Sequence, residues 1–159
     1  MKKRESGFTL IELLIVIAII GILAAIAIPN LLNAVQRGKQ KRTMSDIRTM
    51  ATAVEAYAVD NNVYPSGQCT GKFTSISTVL TDTSLSVLAP TYIANPVKKD
   101  GWSKFMLYNT SSANQEYGFR SLGRDNATGT ISCTTTTNFN DDIVYSNGGF
   151  LQFPEGSQN

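Results

Sequence analysis

Histidine is absent from this chain of 159 residues. The commonest general base and metal ligand is therefore missing. No Gly-rich phosphate loop, metal-binding cysteine cluster or serine elbow takes its place. These absences argue against an enzyme. The net charge is only +2 and no long acidic or basic block occurs, so composition does not call for nucleic acid. Cysteine is scarce too, with Cys69 and Cys133 the only two. They lie far apart, in the segment that would face the outside. In an oxidising compartment such a pair bonds more often than it stays free. It would close a loop of about 65 residues and contribute roughly 4 kcal/mol in the chain-entropy model. Two unrelated buried thiols are the alternative, since spacing alone does not bring the sulfurs together.

Against this sparse background stands one apolar run, Phe8 to Ile28, whose only charged residue is Glu12. An ionised carboxylate in hydrocarbon costs on the order of 2.5 kcal/mol or more, so such a residue usually has a partner and a task. The charged leader Met1-Lys2-Lys3-Arg4-Glu5-Ser6 precedes the Gly7-Phe8 junction. Cleavage after Gly7 would give Phe8 a free α-amine one helical turn from Glu12. Amine and carboxylate would then pair, within a subunit or between neighbours. An uncleaved membrane anchor accounts for the length of the run but gives no reason for Glu12. A secretory signal cut at Ala25-Ile26-Ala27 would place a carboxylate inside an apolar region longer than usual.

Beyond the run the pattern stays helical to about Asn61. Ile47, Met50, Ala51, Val54, Tyr57 and Ala58 recur at three- and four-residue spacing and form a stripe that something must cover. From Phe8 the helix would span roughly 54 residues, far more than a bilayer needs, so residues 8–35 read as an anchor and 36–62 as a spine. Pro29 lacks the amide donor and Gly21 loosens the turns before it, so this stretch is expected to kink or melt more readily than its surroundings. A tolerated kink with no role in assembly is the plainer reading of Pro29. Tyr64-Pro65-Ser66-Gly67 reads as the stop signal.

Residues 66–96 then predict a short helix or turn packed on a sheet. Strands are expected at Lys104–Asn109, Glu116–Leu122, Asp142–Ser146 and Phe150–Phe153, the last two joined by the hairpin signal Asn147-Gly148. The stretch Asn126–Asn140 reads as a loop. The fold class expected is α+β, a long N-terminal helix packed on a small antiparallel sheet.

Gly7-Phe8-Thr9-Leu10-Ile11-Glu12, followed by the apolar run to Pro29, resembles the class III signal of type IV pilins and pseudopilins. The resemblance implies that a prepilin peptidase cuts after Gly7 and methylates the amine of Phe8. It also implies that Glu12 and Pro29 serve assembly. Tyr92 to Pro96, Asp100-Gly101-Trp102, Tyr117 to Asp125 and Asp141-Asp142-Ile143 are similar to the major pseudopilin of type II secretion systems. That similarity implies a calcium ion held by Asp125, Asp141 and Asp142, with oxygens near Ser121 and Leu122 as additions. Solvated loop aspartates are the competing reading. Two departures stand out: Gly101 where the family usually has proline, and a longer Thr-rich loop between Asp125 and Asp141.

The function expected is therefore a structural subunit of a helical filament, either a major pseudopilin driving protein export or a major pilin of a surface pilus. An exported soluble binding protein is the alternative outside this class. The partners implied are further copies of the chain, a prepilin peptidase, an inner-membrane assembly platform with its ATPase, minor pilins or pseudopilins, and the membrane. Lys2, Lys3 and Arg4 place the N-terminus in the cytoplasm, although Arg37, Lys39, Lys41 and Arg42 argue the other way. The downstream cysteines and polar domain decide for an outer globular part. The basic cluster then faces lipid headgroups, acidic groups of a neighbouring subunit, or solvent alone.

Overall fold

The computed structural model describes residues 7–65, 85–111, 114–132 and 134–155. Two compact units divide the chain, Met1–Val35 and Gln36–Asn159. A single helix, α1, runs Leu10–Asn61 and contributes residues to both. Helical structure continues through Pro29. There the missing amide leaves one carbonyl, four residues earlier, without its helical partner. One residue on, the Asn30 side-chain amide donates to the Ile26 carbonyl at 3.1 Å. In the first unit the apolar side chains from Phe8 to Val35 are almost all exposed; Leu10, for example, is 87 % exposed. By length and composition this helix can cross a membrane.

The second unit has its own core. On α1, Ile47, Met50, Ala51, Ala53 and Val54 are buried, and Tyr57 is partly buried against that cluster. The three- and four-residue spacing thus marks the face that is covered. Asn62, with φ 58°, ends the helix in the left-handed region that asparagine tolerates. A short 3₁₀ turn at Ser86–Leu88 brings Leu88 into the core; Leu85, just before it, is buried there as well.

Among the described residues five strands follow: β1 Leu107–Thr110, β2 Tyr117–Ser121, β3 Thr135–Thr136, β4 Ile143–Ser146 and β5 Gly149–Pro154. Their order in the sheet is β1-β2-β4-β5-β3. All pairings are antiparallel except β3 with β5. Positive φ at Asn147 and Gly148 closes the β4–β5 hairpin, as the Asn-Gly signal requires.

Alternation along the strands splits the sheet into two faces. Tyr108, Tyr117, Phe119, Ile143 and Tyr145 join the cluster containing α1. The opposite face centres on Leu107 and Val144, covered in part by Leu122, Ile131 and Leu151. Thr135–Thr136 forms a strand inside the stretch expected to be loop. Two consecutive threonines carry no alternating pattern, and their pairing is supplied by β5, through Phe153 and Pro154. The first strand begins at Leu107 rather than Lys104, because the preceding segment is tied by a single bridge between Lys99 and Phe105.

Candidate functional site

At the N-terminal junction, Thr9 and Glu12 form a reciprocal cap on α1. Glu12 Oε2 accepts from the Thr9 amide at 2.9 Å and from the Thr9 hydroxyl at 2.7 Å. The Glu12 amide donates back to Thr9 Oγ1 at 3.3 Å. This is a capping box, and its Thr-x-x-Glu signature stands in the sequence as Thr9-Leu10-Ile11-Glu12. The partner of Glu12 in the uncut chain is therefore Thr9. Gly7 has open space around the position a side chain would take, and Phe8 is 79 % exposed.

The start of the second unit is held by the Asp100–Trp102 loop. Trp102 Nε1 donates to Gln36 Oε1 at 2.7 Å, and the Gly101 amide donates to Thr43 Oγ1 at 2.9 Å. Asp100, buried, accepts through Oδ1 from the amides of Trp102 and Lys104, both at 2.9 Å. Its Oδ2 accepts from the Ser121 hydroxyl at 2.8 Å. A Cβ on residue 101 would lie 2.2 Å from the Lys39 carbonyl oxygen, which accounts for glycine there. Proline would also forfeit the bond to Thr43. Among the basic residues nearby, Arg42 pairs with Asp46 at 3.5 Å.

A cleft of about 360 Å³ opens beside the loop between β2 and β4. Asp125, Asp141 and Asp142 all border it, together with Asn138, Asn140 and Gln152. Calcium needs six to eight oxygens around one point. Among the described residues no group of three or more acidic side chains stands close enough together to hold a metal by carboxylates alone. Asp125 Oδ1 is engaged by the Ala127 amide at 3.0 Å. Ser121 is turned toward Asp100. Asp142 Oδ2 accepts from Arg120 Nε at 2.6 Å and from the Gly129 amide at 3.2 Å, and it also meets Arg120 Nη2. Asp142 Oδ1 is buried with no hydrogen-bond partner. Burial raises the Asp142 carboxyl above its ordinary value, while the hydrogen bond and charge of Arg120 oppose the rise. Cys69 and Cys133 lie outside the described residues.

The family model for the type II secretion system, protein G, matches residues 30–138, more than two thirds of the chain. The chain belongs to that family. The prokaryotic N-terminal methylation motif matches residues 2–28. Type II secretion system core protein G of Aeromonas hydrophila is 45% identical over 64 residues, 40% of this chain and 45% of the relative. The core protein G of Vibrio cholerae serotype O1 is 42% identical over 67 residues, 41% of this chain and 46% of the relative. The type IV major fimbrial protein FimA of Dichelobacter nodosus is 51% identical over 69 residues, 43% of each chain. The chain thus spans less than half the length of the relatives it matches. The methylation motif coincides with the capped, exposed apolar helix, as in a membrane-anchored pilin before assembly.

Proposed function

We propose that this chain is the major pseudopilin of a type II secretion system, a structural subunit whose helical filament drives protein export. The match to protein G over residues 30–138 supports this reading most, because it runs past the N-terminal motif and into the globular part as far as β3. In this reading prepilin peptidase cuts after Gly7 and methylates Phe8. The subunit waits in the inner membrane with its N-terminus in the cytoplasm. An assembly platform and its ATPase then add it to a filament with minor pseudopilins. The exposed apolar side chains from Phe8 to Val35 supply a surface that lipid covers first and neighbouring helices cover afterwards.

A surface type IV pilus is the second reading, supported by the likeness to FimA. Deleting the gene and assaying the culture medium and the cell surface separates the two. Loss of exported enzymes from the medium with pili still visible by electron microscopy is the expected result. Loss of pili with normal export would transfer the chain to the pilus.

A further inference from the structure

Part of the connection between β2 and β4 lies over the sheet face opposite α1, with Ile131 packed on the Leu107 and Val144 cluster. Cross-strand pairing aligns Leu107, Arg120, Val144 and Gln152 in one row across four strands of that face. Two members of this row are polar, and both are buried: Arg120 at 2 % exposure and Gln152 at 3 %. Each holds the overlying segment. Gln152 Oε1 accepts from the Ser132 amide at 2.7 Å and the Ser132 hydroxyl at 3.1 Å, while its Nε2 donates to the Asp142 carbonyl at 3.1 Å. Arg120 donates through Nη2 to the Gly129 carbonyl and through Nε to Asp142. Gly129 returns its amide to the same Asp142 oxygen. The loop is therefore fixed at Gly129, Ser132 and Asp142 by side chains rooted in β2 and β5.

A guanidinium offers several donors in a rigid fork and keeps its charge at any physiological pH. Here that fork is desolvated, so its attraction to the Asp142 carboxylate is little screened. We propose that Arg120 is the resident cation of this loop: fixed on β2, it neutralises Asp142 and binds Gly129, and the loop folds without a metal ion. The aspartates that resemble a calcium set then divide into different tasks. Asp142 pairs with Arg120, Asp125 turns its own loop through Ala127, and Asp141 borders the cleft. The lengthened Thr-rich segment is compatible with this division, because its anchors are Gly129 and Ser132 rather than a shared ion. The proposal holds for a secretion subunit and a pilus subunit alike.

The test uses the full chain in detergent, melted with the fluorescence of Trp102, the only tryptophan, as the signal. With millimolar calcium or with chelator, the melting temperature should differ by less than about 1 °C, since no ion binds the folded state selectively. A clear rise with calcium that chelation reverses would overturn the proposal. Arg120→Gln should melt roughly 10 °C lower or more, because it strands a buried carboxylate. The double variant Arg120→Gln/Asp142→Asn should recover part of that loss, since neither charge is then left alone. A double variant that melts no higher than the single would show the pair to be uncoupled and would also overturn the proposal. If Arg120→Gln does not fold, the calcium comparison on the unaltered chain still decides.

Discussion

Replacing Gly101 with alanine tests how the second unit is held at the start of its helical segment. The added methyl would sit 2.2 Å from the Lys39 carbonyl oxygen, 2.8 Å from its carbon and 2.9 Å from Lys39 Cα. Ordinary contact begins at 3.4 Å, and all three atoms belong to helical backbone, which cannot swing aside as a side-chain tip can. The loop must therefore retreat by more than an ångström. Overpacking of this kind typically costs about 1–3 kcal/mol. The retreat also breaks the 2.9 Å bond from the Gly101 amide to Thr43 Oγ1, worth about 1 kcal/mol net. It stretches the Trp102–Gln36 bond next to it as well. A total of roughly 2–4 kcal/mol lowers the melting temperature of a domain this size by about 10 °C. Gly38→Ala is the control, because nothing lies within 4 Å of its Cβ position and alanine is the better helix former. Thermal melts followed by Trp102 fluorescence compare the variants with the unaltered chain. If Gly101→Ala melts within a degree or two of wild type, the close approach to Lys39 is wrong and so is the explanation for glycine at this position.

Mass spectrometry of the mature protein should find a chain beginning at Phe8 and carrying the mass of one added methyl group; a chain beginning at Ile28 would remove the basis for a filament subunit. Glu12→Ala should still enter the membrane, since losing the carboxylate eases insertion. Incorporation into filaments should fall by roughly ten- to a hundredfold, the equivalent of one charge-assisted bond. Filaments of normal yield from Glu12→Ala would show the pairing of Glu12 with the Phe8 amine to be dispensable.

The helix and the hairpin were legible because each rests on local chemistry. Ile47, Met50, Ala51 and Val54 announce a covered face through their period, and Asn147-Gly148 announces a turn because both positions accept positive φ. The short strand Thr135–Thr136 was not legible, since its pairing depends on a strand more than ten residues further along. The Thr-x-x-Glu signature of the capping box stands in the sequence at Thr9 and Glu12, but a lone charge in an apolar run equally suits pairing with a new amine at Phe8, and local spacing does not rank the two. Asp142 shows the limit most clearly. Beside Asp141 it reads as half of an acidic pair, yet its partner is Arg120, 22 positions back on a neighbouring strand. Only the β2–β4 register, which sets Arg120 across from Val144, brings the two together.

The short parallel strand β3 also bears on how such chains behave when crowded. An open sheet edge is a row of unpaired amides and carbonyls that invites another chain to add itself. β5 would be such an edge, but β3 lies along its end at Phe153 and Pro154, and proline has no amide to offer. The opposite edge, β1, is only four residues long. Among the described residues, strand-to-strand addition is blunted on both flanks of the sheet, while the apolar side chains at the start of α1 stay exposed.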